Sequence, residues 1–545
     1  MSRHDTSNIG SLPRRSPTSA EMRGIEAAMR SDDTALAISL ASEAARTGAD
    51  HALVLVLAVH GSLGRGAADE ALAYALRARA LGPRDPQILN AYALALVNCD
   101  RAREALAVYD AALRLAPDRS SLHYNKGCAF EALSDKLRAR LSFERAVALQ
   151  PTNTQALARL ANIAAARSDV GEARAQGERA LRLQPGEPVA TLALASADVE
   201  EKKFDAALAR LGPLMAAAPG IDRSIAEGLA GDALDGLGRH DDAFRAYAVS
   251  NATRRAIFHA APGSESARTL VARLSGYFRD AKAWPREQAD EAAQSCTHVF
   301  LVGFPRSGTT LLEQVLAAHP DVETMEERDC LADAQREFLG GTDDLDRLAA
   351  LSGGALEPWR KAYWARVAEW GVEPSRSVFV DKLPLNTIYL FLIAKLFPRA
   401  KILFALRDPV DVVWNCFRRR FGMSAQMYEF LTLEGAARHY DAVMTLAELY
   451  RDKLALDLHE LRYEAMVNDF EGETRRLCAF LNLEWTEALA DFAARTRTRA
   501  VNTPSAAQVA RGLFTNAVGQ WTSYREQLAP ILPILAPWRA RFGYV

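Results

Sequence analysis

Five prolines recur at intervals of 34 residues in the first half of this chain: Pro83, Pro117, Pro151, Pro185 and Pro219. An alanine stands twelve positions before each of them, at Ala71, Ala105, Ala139, Ala173 and Ala207. A fixed period of this length indicates stacked copies of one unit, none of which can bury its apolar face alone. We therefore expect an array of helix pairs, in which small residues let two helices approach and proline ends the second one.

This period and these positions resemble the tetratricopeptide repeat over roughly residues 35–250. The resemblance implies an all-α superhelix with a concave groove. Two interpretations of the array stay open. Its groove binds a peptide or protein, or the array only rigidifies, dimerises or caps a second domain.

Composition excludes several classes of protein. With 545 residues, 49% of them apolar and 25% charged, the chain is globular and long enough for two or more domains. Its net charge of −2 indicates neither a nucleic-acid partner nor an anionic membrane. The six cysteines lack the spacing of a zinc site. No apolar run is long enough to span a bilayer and no apolar leader is evident, so we expect a cytoplasmic protein.

The domain boundaries follow from changes in pattern. We expect a disordered lead over residues 1–20, the repeat domain over 21–255, a helical linker over 256–295 and an α/β domain over 296–545. The last of these opens with the apolar run HVFLV, which is typical of a strand buried in a parallel sheet.

A glycine-bounded loop follows this first strand. Gly303 and Gly308 frame four residues, and the helical segment LLEQVLAAH comes next. Strand, tight loop and helix N-terminus together form a cradle for an anion, because backbone N–H groups and the helix dipole both favour negative charge. Thr309 stands where a Walker A loop carries lysine, which counts against an ATPase or GTPase. The alternative is a turn that binds no ligand.

The segment FPRSGTTLLEQ resembles the 5′-phosphosulfate loop of the sulfotransferases, above all bacterial tetratricopeptide-repeat sulfotransferases and the related protein-tyrosine sulfotransferases. The resemblance implies an α/β P-loop-like domain with a parallel sheet that uses PAPS (3′-phosphoadenylyl sulfate) as co-substrate. It implies that Arg306, Ser307, Gly308, Thr309 and Thr310 contact the 5′-phosphate, with Arg306 also near the transferred group.

Further segments resemble the rest of that site. KILFALRDP resembles the motif for the 3′-phosphate, with Arg407 matching and Asn415 standing where serine is usual. The resemblance makes Glu327 the base that takes the acceptor's proton and Lys382 the cation beside the leaving oxygen. Tyr463 matches a tyrosine beside the nucleotide, although packing in the core is the alternative.

Three further features lie near these motifs in the sequence. We expect the basic run Arg418–Arg420 to be a solvated helix face, and added positive potential near the 3′-phosphate is the alternative. Thr515 and Asn516 replace the arginine or serine of the family's closing loop, for which Arg511 could compensate. Trp521 is expected in the core.

The sequence thus predicts in-line transfer of a sulfuryl group from PAPS to a hydroxyl, without a metal and with release of PAP. The suggested acceptor is a protein tyrosine reached through the repeats, and a glycan, a lipid or a small phenol is the alternative. Two alternative functions belong to other classes. One is a repeat scaffold with a degenerate sulfotransferase domain, and the other is a nucleotide kinase or NTPase.

Overall fold

The computed structural model describes residues 14–258, 265–280, 284, 296–493 and 518–544. The chain divides into two compact units. One comprises Met1–Ala165 and Asp169–Leu194, and the other comprises Ala166–Ser168 and Ala195–Val545. Within the described residues, none of the helices is both long and apolar enough to cross a membrane.

The first half of the chain is helical, as the repeat period predicts. Its helices, in chain order, are α1 Ser19–Arg30, α2 Thr34–Arg46, α3 Ala52–Gly64, α4 Ala68–Leu81, α5 Pro86–Asn98, α6 Ala102–Leu115, α7 Ser120–Ala132, α8 Lys136–Leu149, α9 Thr154–Ala166, α10 Val170–Leu183, α11 Pro188–Glu200, α12 Phe204–Ala216, α13 Ile221–Gly236, α14 His240–Ile257 and α15 Ala267–Asp280.

The repeated residues lie where two helices meet or where a helix ends. Pro83, Pro117 and Pro151 each come one or two residues after the second helix of a pair. A side chain on Gly127 of α7 would come within 2.5 Å of the Phe143 ring on α8, so the helices approach more closely than a larger residue allows. The helical repeat architecture is therefore confirmed.

Two observations concern the beginning and the end of the repeat region. α1 begins at Ser19, capped by the Thr18 side chain, so a helix starts before the expected end of the lead at residue 20. The segment from Ala195 onward, including α13 and α14, belongs to the second compact unit rather than to the first. Asn251 of α14 explains part of this, because its Nδ2 donates to the backbone oxygen of Phe417 at 2.8 Å. Of the expected linker over 256–295, the described part contains α15.

The second half of the chain is an α/β domain around a parallel sheet, which confirms the predicted fold class. The described residues form five strands in the order β2-β3-β1-β4-β5, and every neighbouring pair is parallel. The strands are β1 Thr297–Gly303, β2 Val322–Glu326, β3 Val378–Lys382, β4 Lys401–Leu406 and β5 Asp457–Arg462. The chain moves to one side of β1 with β2 and β3, then to the other with β4 and β5. Ligands bind at the carboxyl edge of such a switch point.

Helices cover both faces of this sheet. They are α16 Thr309–Ala318, α17 Ala332–Phe338, α18 Thr342–Ala350, α19 Glu357–Glu369, α20 Leu390–Leu396, α21 Pro409–Arg418, α22 Ala425–Tyr428, α23 Leu433–Lys453, α24 Tyr463–Asn468, α25 Phe470–Leu481, and finally Arg525–Leu528 and Leu532–Arg541. Strands β1 and β3 are buried along almost their whole length, as the continuous apolar runs predict.

Gly303, the last residue of β1, has a backbone that only glycine adopts easily. Its φ is +150°, and an added Cβ would lie 2.6 Å from the backbone oxygen of Ala405 on β4. Its N–H donates to the Thr387 hydroxyl at 2.9 Å. The chain therefore leaves the sheet at Gly303, where its backbone is in direct contact with the neighbouring strand β4.

We expect Gly303→Ala to destabilise the protein by roughly 1–3 kcal/mol, because it combines backbone strain with a clash against fixed main chain. Thermal unfolding of the purified variant measures the effect. Gly276→Ala on α15 is the matched control, since no atom lies within 4 Å of the new methyl group. A helical alanine should be neutral or stabilising there. Equal melting temperatures for Gly303→Ala and wild type would contradict this account.

Candidate active site

The loop between β1 and α16 has the geometry of an anion cradle. Ser307 N–H donates to the Phe304 carbonyl at 3.1 Å, which closes a turn. Arg306 and Gly308 both have positive φ, of 73° and 95°. The turn leads directly into the N-terminus of α16, a ten-residue helix. Backbone N–H groups at a helix start attract negative charge, so this geometry suits an anion. The strand, the loop and the helix also lie at the positions that the sequence predicts.

Tyr463 lies against this loop. A Cβ on Gly308 would come within 2.7 Å of Cδ2 of the Tyr463 ring, so glycine is needed for this approach. The guanidinium of Arg407 lies 5.0 Å from the centre of the same ring, at a distance where a cation and an aromatic face attract each other. Tyr463 therefore joins the loop to the segment that follows β4.

Arg407 connects the two segments that the sequence singles out. It follows β4, is 5% exposed, and its Nη1 donates to the backbone oxygen of Arg306 at 3.3 Å. β1 and β4 are adjacent and parallel, with Gly303 beside Ala405. The two segments are a hundred residues apart in sequence and meet at one edge of the sheet.

Asn415 lies on α21 and is 2% exposed. Its Nδ2 donates to the backbone oxygen of Asp411 at 2.8 Å, and its Oδ1 accepts from Nη2 of Arg418 at 2.9 Å. The carboxylate of Asp411 lies 3.6 Å from Nη2 of Arg407 and accepts from the backbone N–H groups of Gly519 and Trp521. Asp411 thus joins the segment around Gly519 and Trp521 to helix α21 by hydrogen bonds.

Positive charge is concentrated around the loop. Burial, together with the nearby guanidinium groups of Arg419 and Arg407, lowers the pKa of Arg306 from 12.5 to about 9. Burial is the larger cause of this shift, and repulsion from the neighbouring guanidinium groups adds to it. The arrangement suits a ligand with negative charge, and an anion there would restore the stability of the charged guanidinium.

Glu327 and Lys382 meet at the same edge of the sheet. Lys382 ends β3 and is fully buried, whereas the side chain of Glu327, just beyond β2, is 41% exposed. Lys382 Nζ lies 2.8 Å from Oε1 of Glu327 and 3.2 Å from Oε2 of Glu313. Burial disfavours the ammonium, but the carboxylates of Glu313 and Glu327 outweigh it and raise the pKa of Lys382 above its usual value. The lysine is therefore charged at neutral pH.

A second buried network lies behind Lys382. Tyr363 donates to Oδ2 of Asp381 at 2.7 Å, and Nε2 of His298 lies 2.9 Å from the Tyr363 hydroxyl. Burial raises the pKa of Asp381 from 3.8 to about 7 and lowers that of His298 to about 3. Asp381 is the neighbour of Lys382 in β3, so its packing helps to fix the end of that strand.

Two features of the site differ from the sequence analysis or were missed by it. The basic run is not a solvated face, because Arg418 is only 7% exposed and pairs with Asp235 at 3.3 Å, while Arg420 pairs with Asp232 at 2.9 Å. Glu313 was missed altogether, although a carboxylate in the middle of the apolar segment LLEQVLAAH was a usable signal.

The remaining expectations concern the C-terminal segment and metals. Thr515, Asn516 and Arg511 lie outside the described residues. Trp521 is 6% exposed and packs in the core, as predicted. In the described part of the chain, His, Cys, Asp and Glu side chains do not come together in groups of three or more that could hold a metal ion.

Comparison with known proteins identifies both regions. Residues 298–487 match the model of the sulfotransferase family, and residues 120–153 match a tetratricopeptide-repeat model. The chain carries a sulfotransferase-family domain preceded by tetratricopeptide repeats. The matched region of the sulfotransferase domain includes Arg306, Glu327, Lys382 and Arg407.

Relatives of the sulfotransferase domain occur in bacteria and animals. The chain is 28% identical over 249 residues to an uncharacterized protein of Aquifex aeolicus, covering 44% of this chain and 32% of that one. It is 29% identical over 262 residues to Protein-tyrosine sulfotransferase 1 of Danio rerio, covering 45% of this chain and 72% of that one. A sulfotransferase domain from the olefin synthase of Synechococcus PCC 7002 is 22% identical and covers 46% of this chain and 98% of its own, with a TM-score of 0.28.

Lys382 generates a prediction about the stability of the α/β domain. Lys382→Met leaves the Glu313 carboxylate, 1% exposed, without its buried cation, and we expect a loss of about 3–5 kcal/mol of stability in chemical unfolding. Lys382→Met with Glu313→Gln should recover most of this loss. Glu327→Gln removes only the exposed partner and should change stability by about 1 kcal/mol or less. A double variant no more stable than Lys382→Met would contradict this account.

Asp381 generates a pH-dependent prediction. Its pKa is raised to about 7 in the folded protein, so the folded state holds a proton that the unfolded state releases near pH 4. This contribution to stability is complete at low pH and is lost as the pH rises through about 7. The melting temperature of wild type should therefore fall more between pH 5 and pH 8 than that of Asp381→Asn, which cannot ionise. Parallel curves for the two proteins would show that Asp381 does not titrate in this range.

Proposed function

We propose that this chain is a PAPS-dependent sulfotransferase that transfers a sulfuryl group to an acceptor hydroxyl. The observation that carries the proposal is the hydrogen bond from Arg407 to the backbone oxygen of Arg306. Because the two anion-binding segments touch, a single nucleotide with a phosphate at each end of its ribose can engage both. A loop for one phosphate alone would not require the second arginine.

The residues present fit such a ligand. The loop of Ser307, Gly308, Thr309 and Thr310 opens a helix and suits the 5′-phosphosulfate, while Arg407 suits the 3′-phosphate. Burial and the neighbouring guanidinium groups of Arg419 and Arg407 lower the pKa of Arg306, and a bound anion would favour its charged form. Tyr463, packed on Gly308, offers an aromatic surface beside the nucleotide.

Two side chains have roles in the proposed transfer: the partly exposed carboxylate of Glu327 and the buried ammonium of Lys382. PAPS supplies the sulfuryl group when bound. Glu327 is accessible from solvent and accepts the acceptor's proton as the new oxygen–sulfur bond forms. Lys382 remains charged and stabilises the oxygen that leaves with PAP as the old sulfur–oxygen bond breaks. Glu313, buried on the other side of Lys382, keeps the ammonium in place when Glu327 turns toward the acceptor.

We propose a protein tyrosine as the first acceptor to test, with the repeats as the surface that binds the protein. Support comes from the relative named Protein-tyrosine sulfotransferase 1 and from the combination of repeats with this domain. A glycan, a lipid and a small phenol are the other acceptors within the same reaction class. A cytoplasmic location and catalysis without a metal belong to the same proposal.

Glu327→Gln tests the catalytic assignment. We expect transfer of labelled sulfate from PAPS to a tyrosine peptide or to proteins of a lysate to fall by about 100-fold or more, because general-base catalysis is removed. PAP should still raise the melting temperature of the variant, since a ligand that binds only the native state stabilises it. Glu323→Gln, on strand β2 just before Glu327, is the matched control and should keep both properties.

Different outcomes would contradict different parts of the proposal. Normal turnover in Glu327→Gln would remove Glu327 from its role as base. No thermal shift of wild type with PAP, and none with PAPS, would favour a repeat scaffold whose sulfotransferase domain is degenerate. A shift with Mg²⁺-ATP alone would favour a nucleotide kinase or NTPase, against which Thr309 counts.

A further inference from the structure

Helix α13, from the last repeat, presents two carboxylates to the segment at the end of α21. Asp232 Oδ2 lies 2.9 Å from Nη2 of Arg420, and Asp235 Oδ2 lies 3.3 Å from Nη1 of Arg418. All four residues belong to the same compact unit. The carboxylates are three residues apart, so they occupy one face of the helix. Each therefore holds one arginine of the basic run.

The two arginines differ in what they contact next. Arg418 directs its guanidinium onto the Oδ1 atom of Asn415, with Nε at 3.2 Å and Nη2 at 2.9 Å. A guanidinium can only donate hydrogen bonds, so the Asn415 atom that it meets must be the amide oxygen. The amide nitrogen consequently faces away, where one N–H donates to the Asp411 carbonyl and the second N–H is left to donate elsewhere.

This orientation matters because Asn415 stands where related enzymes carry serine. A serine hydroxyl rotates to donate to a phosphate, whereas an amide has a donor end and an acceptor end. With its oxygen turned outward, Asn415 would repel a phosphate. The two hydrogen bonds from Arg418 exclude that orientation. Arg418 is itself buried, and a buried guanidinium needs a carboxylate to be stable. Asp235 provides it.

We propose that Asp235 is a positioning residue for the 3′-phosphate pocket, acting through Arg418 to hold the Asn415 amide with its N–H toward the nucleotide. This inference rests on the proposed function. It means that the last repeat is part of the sulfotransferase site and that a fragment beginning near residue 296 lacks a part of its 3′-phosphate pocket.

The test compares binding of PAP with binding of 5′-AMP, which lacks the 3′-phosphate, by calorimetry on the full chain. Wild type should prefer PAP. In Asp235→Asn the preference, expressed as the ratio of the two dissociation constants, should fall about tenfold, which is the size expected for a lost hydrogen bond to a charged group. Affinity for 5′-AMP should stay within about twofold, because 5′-AMP lacks the phosphate that the Asn415 amide is positioned to bind. A merely structural defect would weaken both ligands together.

Asp232→Asn is the matched control. It removes the same kind of ion pair from the same helix, but its partner Arg420 has no contact with Asn415 among the described hydrogen bonds. Its preference for PAP should equal that of wild type. An equal loss in both variants would overturn the inference, since it would reflect packing of α13 alone.

The remaining outcomes separate this inference from the proposed function. If wild type prefers PAP and Asp235→Asn keeps the full preference, only the positioning role is wrong. If wild type binds PAP no better than 5′-AMP, the proposed 3′-phosphate pocket itself is wrong. Should Asp235→Asn not fold, Arg418→Lys decides the question, because lysine keeps the charge beside Asp235 but cannot make two hydrogen bonds to Oδ1. Its preference should fall as well, and an unchanged ratio would overturn the inference.

Discussion

The parallel pairing of β1 with β4 determines where the proposed sulfotransferase site lies. Gly303 and Ala405 are partners in this pairing, so both strands end at the same height and both following segments leave the sheet side by side. Arg407 can then donate to the backbone oxygen of Arg306. The absence of a side chain at Gly303 permits the turn that starts the loop. Strand register, rather than any side-chain motif, therefore brings together the two segments for which we propose anion binding.

Charge is distributed unevenly across this edge of the sheet. Around β3, the ammonium of Lys382 is matched by two carboxylates, one buried and one exposed. Around β1 and β4, guanidinium groups accumulate, and burial together with these neighbours lowers the pKa of Arg306. The first group of charges is balanced within the protein and suits proton transfer. The second group suits an anionic ligand, so in the proposed function nucleotide binding and chemistry use different parts of one edge.

The parts of the site that depend on local pattern could be predicted from the sequence. An apolar strand, two glycines and a helix start lie within a dozen residues, and their physical meaning does not depend on the rest of the fold. The meeting of Glu327 with Lys382 requires β2 to pair with β3, and only family resemblance indicated it. Asp235 and Arg418 are 183 residues apart. Nothing local to Arg418–Arg420 shows that carboxylates from an earlier repeat cover them, so a solvated face was the natural but wrong interpretation.

A crystal structure of the full chain with PAP tests the central claim most directly. The account predicts one nucleotide at the carboxyl edge of β1 and β4, with its 5′-phosphate in the loop that ends at Thr310 and its 3′-phosphate on Arg407. A nucleotide bound in another cavity, or one whose 3′-phosphate points to solvent away from Arg407, would contradict it.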